Sequence, residues 1–148
     1  MLLIGYGNPG RCDDGLGPAF AARLAAQQLP GLTIASDYQL TVDHAMSISE
    51  ADQVVFVDAD LDAEPPYRFG RISAAAHPEI GSHSLDPSSV LALTRSLYGV
   101  TPAAFVLGIA GHEFGEVREG LSAFAKHNLD RAETFFIEWL SDPAVAAK

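Results

Sequence analysis

Val54-Val55-Phe56-Val57-Asp58 is the stretch on which the fold turns: four apolar residues in a row, three of them β-branched, closed by a carboxylate. A strand with one wet face alternates apolar and polar residues. A continuous apolar run is the pattern of a strand covered on both faces, as in a parallel sheet sandwiched between helices. Asp58 at the end of such a run needs a partner, because a carboxylate beside a buried segment is costly to leave alone.

Working back from this strand, Leu2–Ile4 reads as a second buried strand running into glycines. Leu16, Phe20 and Leu24 follow at helical spacing, and Pro30-Gly31 stops that helix. Leu32–Ala35 reads as a strand ending at Ser36-Asp37, and Thr41–Ser49 as a helix with Thr41 as its expected N-cap. Working forward, the paired prolines of "DADLDAEPPY" forbid regular structure. Arg68–Ser73 is expected as an edge strand and "AAAHPEIGSHSL" as a loop. Asp86-Pro87 is an N-cap followed by proline at the first helical position, with Val90, Leu93 and Leu97 on the core face. Ala104–Ala110 is another buried strand. Leu121, Phe124, Phe135 and Trp139 share one face of a long C-terminal helix. Strands alternating with helices imply an α/β three-layer sandwich: a mostly parallel, twisted five-stranded sheet, of phosphorylase/hydrolase-like type, with helices on both faces. One domain is expected over residues 1–148, with 142–148 as a frayed tail.

The chain carries 19 acidic and 9 basic residues, a formal charge of −10, and the excess of acid runs through both halves. Nucleic-acid binders draw affinity from basic groups, so no nucleic-acid partner is expected. A cation or a basic partner suits the charge, as does simple solubility. The one cysteine, Cys12, excludes an internal disulfide framework. Adjacent Asp13 and Asp14 disfavour an anionic sulfur nucleophile there. No apolar stretch approaches the length of a membrane helix, and "MLLIGYG" lacks the features of a signal peptide, so a cytoplasmic protein with no membrane partner is expected.

Ligands of open α/β sheets bind beyond the carboxyl ends of the strands. The chain delivers Asn8, Asp13 and Asp14 there after the first strand, Asp37 after the second, Asp58 and Asp60 after the third, and His112 and Glu113 after the late one. His83 precedes a helix and can reach the same rim. Each has a plainer reading, since strand-end acids also cap helices, and one of Asp13 and Asp14 can serve the following helix dipole. Gly5-Tyr6-Gly7-Asn8-Pro9-Gly10 has the outline of a dinucleotide loop. Yet a phosphate there would meet Asp13 and Asp14, Pro9 removes a donor, and Asp37 comes too late for a ribose-binding acid. The loop favours a cation.

In order and spacing, "IGYGNPGRCDDGLG", "VVFVDA" and "GSHSLDPSSVLAL" resemble the hydrogenase maturation endopeptidases, over nearly the whole chain. The resemblance implies a protease that removes the C-terminal extension of a nickel-iron hydrogenase large-subunit precursor after nickel insertion. It implies that Asp14, Asp58 and His83 contact the nickel and carry catalysis, the metal arriving with the substrate on its own cysteines. Carboxylate and imidazole donors can complete nickel's coordination without extracting it from thiolates, and the metal can act as a Lewis acid. The family's first ligand is usually glutamate, so Asp14 is a shorter side chain there, and Asp13 stays open for the role. "DYQLTVDHA" is similar to a subgroup processing bidirectional, NAD-linked hydrogenases. Asn8, Asp13, Asp37, Gln39 and His112 are the expected substrate contacts. The alternatives are a peptidyl-tRNA hydrolase-like esterase, which shares "GNPG" but wants Asn and His where Cys12-Asp13-Asp14-Gly15 stands, and a non-catalytic chaperone sensing nickel status.

Overall fold

The computed structural model describes residues 1–78 and 85–146. Strands β1 (Leu2–Tyr6), β2 (Thr33–Asp37), β3 (Gln53–Asp60), β4 (Tyr67–Ile72) and β5 (Ala103–Ala110) form one sheet in the order β2-β1-β3-β5-β4. Helices α1 (Leu16–Gln27), α2 (His44–Ser49), α3 (Pro87–Tyr98), α4 (Ala123–Leu140) and α5 (Pro143–Ala146) complete it. The β1–β2, β1–β3 and β3–β5 pairs are parallel, and β4 joins the edge antiparallel to β5. The expected α/β sandwich with a mostly parallel five-stranded sheet is the observed architecture.

Side-chain alternation splits the core in two. Leu3, Val55, Val57, Leu107 and Ile109 face one side and pack with Leu16, Phe20 and Leu24 of α1 and Leu129 and Phe136 of α4. Leu2, Ile4, Val54, Phe56 and Ala104 face the other and pack with Ala45 and Ile48 of α2 and Val90 and Leu91 of α3. Every residue of Val54–Val57 is fully buried, the double coverage read from its composition. Helix α1 lies close on β1 because two glycines meet there. A Cβ on Gly17 would fall 2.3 Å from the Tyr6 carbonyl oxygen, and one on Gly5 2.2 Å from that of Gly17.

Three boundaries differ from expectation. Strand β3 does not end before Asp58 but continues to Asp60, because β5 pairs with it through Asp58↔Gly108 and Asp60↔Ala110. Helix α2 starts at His44 instead of Thr41: the Thr41 amide donates to His44 Nδ1 at 3.0 Å, so the chain turns before the helix begins. Helix α4 is capped by Ser122, whose hydroxyl accepts from the Ala125 amide at 3.1 Å, and this leaves Leu121 outside the helix. Asp86 caps α3 as expected, accepting from the Ser89 amide at 2.7 Å. Within 142–148, α5 buries Val145, whose carbonyl accepts from Gln53 Nε2 at 3.0 Å. Among the described residues no helix is long and apolar enough to cross a membrane.

Candidate active site

The parallel strands point their carboxyl ends to one rim, and Asp58 stands just inside it. As an even-numbered residue of β3 it shares the face of Val54 and Phe56, toward α3. That half of the sheet, over β5 and β4, opens into a cleft of about 390 Å³ lined by Tyr6, Asp58, Asp60, Arg68, Asp86 and Gly108, among others. Asp58 Oδ1 accepts from the Ala59 amide at 2.8 Å, and the Tyr6 phenol, which also acts to lower the Asp58 carboxyl, lines the same cleft. Burial, reinforced by the charge of Asp14, raises the Asp58 carboxyl to about 7 despite both. The neighbouring acid is handled differently. Asp60 pairs with Arg68 of β4 and lies where a Cβ on Gly108 would sit 2.7 Å from its Oδ2. Asp58 therefore has no cationic partner among the described residues, although a guanidinium lines the same cleft.

Asp14 approaches from the loop after β1, within a 3₁₀ turn over Cys12–Gly15. Gly7 has φ +142°, and a Cβ there would fall 2.1 Å from the Asp14 carbonyl oxygen, so the loop folds back tightly on itself. The Asn8 amide donates to Asp14 Oδ2 at 2.9 Å, and Asn8 Oδ1 accepts from the Gly10 amide at 2.9 Å. The half-buried Asp14 side chain is thus held with its charge acting on Asp58.

Asp13, one residue earlier, points the opposite way. It is fully buried and accepts from the amides of His112 (3.1 Å), Glu113 (3.0 Å) and Ser122 (2.8 Å) and from the Ser122 hydroxyl (2.8 Å). Burial acts to raise its carboxyl, but these donors outweigh it and hold Asp13 below the ordinary carboxylate range. Through these bonds Asp13 knits the first loop to the segment before α4, whereas Asp14 is the one of the pair whose charge acts on Asp58.

The other expected contacts scatter. Asp37 is exposed at the end of β2 and lies 3.7 Å from His44 Nε2, beside a shallow hollow of about 210 Å³ with Gly7, Pro9 and Tyr38. Gln39 is exposed just beyond it. His112 lines a third cleft with Cys12 and Arg118, its ring edge-on to Phe124 at 4.5 Å. Neither Asp37, Gln39 nor His112 lines the Asp58 cleft. Cys12 is buried at φ +49°, with its sulfur 3.7 Å from the Glu116 carbonyl oxygen. His83 lies outside the described residues, and so does any bond it makes; among the described residues no group of three His, Cys, Asp or Glu could hold a metal. Sequence reasoning passed over Tyr6, Arg68 and Asp86 as parts of the cleft. Tyr6 was within reach of strand parity, since β1 pairs with β3 at Gly5↔Val57 and the next residues on each strand are Tyr6 and Asp58.

No family model and no curated protein matches the sequence. The structure does match solved proteins across nearly its full length. The hydrogenase maturating endopeptidase HybD from E. coli superimposes with a TM-score of 0.74 at 19% identity, over 94% of this chain and 90% of that one. The [NiFe] hydrogenase maturation protease HycI from Thermococcus kodakarensis KOD1 gives 0.71 at 22% identity, over 95% and 92%. A hydrogenase 2 maturation peptidase from Thaumarchaeota archaeon SCGC_AB-539-E09 gives 0.69 at 17% identity, over 95% and 97%. The resemblance carried by a few sequence motifs is thus met independently by the path of the backbone, and the chain has the fold of the hydrogenase maturation endopeptidases.

Proposed function

We propose that this protein is an endopeptidase that removes the C-terminal extension of a nickel-iron hydrogenase large-subunit precursor once nickel has been inserted. The observation that carries the reading is Asp58: a largely buried carboxylate at the rim of an open cleft, with Asp14 acting on it and no cationic partner among the described residues. Two acids that raise each other's energy are stabilised together by a cation, which removes the repulsion and the desolvation cost at once. Asp14, Asp58 and His83 are the proposed contacts to the nickel carried by the precursor. The described chain comes back to the cleft at Asp86–Ser88, three residues beyond His83 in sequence.

In this mechanism the nickel is part of the substrate. Asp58, whose carboxyl burial raises to about 7, would give up its proton as the cation approaches, so recognition of a loaded precursor is coupled to proton release. Asp14 offers its carboxylate from a loop whose backbone is already fixed by Asn8 and Gly10. Held by these residues, the nickel would supply Lewis acidity toward the scissile peptide or a water. A cytoplasmic setting follows from the same reading, because the precursor is processed during assembly.

The test is incubation with a nickel-loaded large-subunit precursor, followed by mass spectrometry. A mass loss matching the tail, seen with nickel and absent from the nickel-free precursor, is the expected result. Tight binding with no cleavage would replace the protease with a metal-sensing chaperone. Cleavage of both precursors alike would remove nickel from the reading.

A further inference from the structure

Resting on that reading, we propose that the bare strip of sheet over β5 and β4 is the subsite for the precursor's peptide chain, and that Arg68 binds that chain through a main-chain carbonyl oxygen. Strand register places the parts. Asp58 pairs with Gly108, and Gly108 with Arg68, so the three stand in one row across the sheet and share a face. Two strand spacings separate the outer members, about 10 Å between backbones. Gly108 puts no side chain between them. Further along β4, Gly70 shares the face of Arg68 and Ile72 and pairs with Val106; a Cβ there would meet nothing within 4 Å. Arg68, Ile72, Val106 and Gly108 all line the Asp58 cleft. The floor beside Asp58 is therefore largely backbone, and glycines within strands often mark the place where a second backbone comes close.

Arg68 is held ready over this floor. Asp60 leans across Gly108 toward it: a Cβ on Gly108 would fall 2.7 Å from Asp60 Oδ2, the atom that accepts from the Arg68 guanidinium. Asp60 is itself fixed, since its other oxygen accepts from the Asp62 amide at 2.9 Å. The Asp60 side chain is 15% exposed and that of Arg68 67%. A sheltered acid thus tethers one end of an exposed guanidinium, which carries five N–H donors in a rigid fork and has capacity left for a ligand. The surroundings choose that ligand. Asp58, Asp60 and Asp86 line the cleft, so an acidic group would be repelled there, and Asp60 already offsets the charge of Arg68. A neutral acceptor meets neither obstacle, and an extended peptide offers a carbonyl at every residue. The pairing with Asp60 also keeps Arg68 from repelling the incoming cation as a lone guanidinium would.

The test uses the full chain as wild type, Arg68→Met, Gly70→Leu and Asp58→Asn. Binding of the nickel-free precursor is followed by fluorescence anisotropy, and processing of the nickel-loaded precursor by mass spectrometry. Arg68→Met removes the donor and Gly70→Leu fills the open floor. Each should weaken binding of the nickel-free precursor by about 10–100-fold and raise KM to match, with kcat and thermal midpoint close to wild type. Asp58→Asn should abolish processing and leave that binding intact. If leucine disturbs β4, Gly70→Ser takes its place, with a smaller loss in the same direction. Wild-type affinity and KM in either variant overturn the inference and leave the protease reading standing. A wild-type protein that cleaves neither precursor yet binds both, with the dependence on Arg68 and Gly70 intact, retires the protease reading and leaves the subsite established. Failure of the wild type to bind either precursor overturns both.

Discussion

Asp58 concentrates the chemistry at the residue scale. An ordinary carboxyl titrates near about 3.9, whereas burial lifts this one to about 7. Between those values the folded protein holds a proton that the unfolded chain has released, so stability contributed by the protonated form is full at low pH and is lost as pH rises through about 7. Asp58→Asn removes the penalty. We expect the variant to be more stable than wild type by on the order of 2 kcal/mol above about pH 8, with the gap closing toward about pH 4. Urea unfolding at the two pH values measures it, and a gap that stays constant would mean that Asp58 is not the titrating group. The same variant should process no precursor. Asp13 shows the reverse sign: its carboxyl is held low by the donors of Ser122, His112 and Glu113, so its stabilisation is present at neutral pH and lost on acidification. The opposite fates of these adjacent acids could not be read locally. They depend on amides contributed by residues about a hundred positions later, and nothing in "CDDG" says which carboxyl they will reach.

At the scale of elements, the features legible in sequence were those whose causes are local. Asp86-Pro87 announced the start of α3 because capping and the proline ring act within one turn. The unbroken run Val54–Val57 announced a doubly covered strand. Thr41 misled because His44, three residues on, takes the amide that a cap would have left free. The glycines of the first loop look like a phosphate cradle on paper, yet Gly5, together with Gly17 of α1, instead lets α1 approach β1. Replacing Gly17 by Ala puts a methyl 2.3 Å from the Tyr6 carbonyl oxygen and 2.6 Å from that of Val57, both backbone atoms that cannot swing aside. The expected cost is about 3 kcal/mol or more, read as a lowered denaturant midpoint. A Gly17→Ala protein of wild-type stability would mean that α1 can stand off the sheet.

For the molecule as a whole, the formal charge of −10 leaves an uncompensated repulsion that the compact state must contain. Raising the ionic strength from about 0.01 M to about 1 M shortens the screening length from about 30 Å to about 3 Å. The melting temperature should rise by several degrees over that range; a flat response would mean that the acids are already locally compensated. The alternation of strands and helices made the sandwich legible, but not where the sheet would be left uncovered. That depends on β4 arriving by a loop and entering antiparallel at the far edge, which leaves Val106 and Gly108 of β5 lining the cleft.

The strand order carries one more implication. Strand β4 follows β3 in the chain, yet β5 lies between them in the sheet. No hairpin can form from these two neighbours, and Tyr67–Ile72 has no place to dock until Ala103–Ala110 has been made and slotted in. During synthesis the nascent polypeptide must therefore carry an unpaired, aromatic-bearing segment for some thirty residues of growth. The wall of the cleft is the last part of the sheet to close, and the newly made chain is most prone to associate with others while it waits.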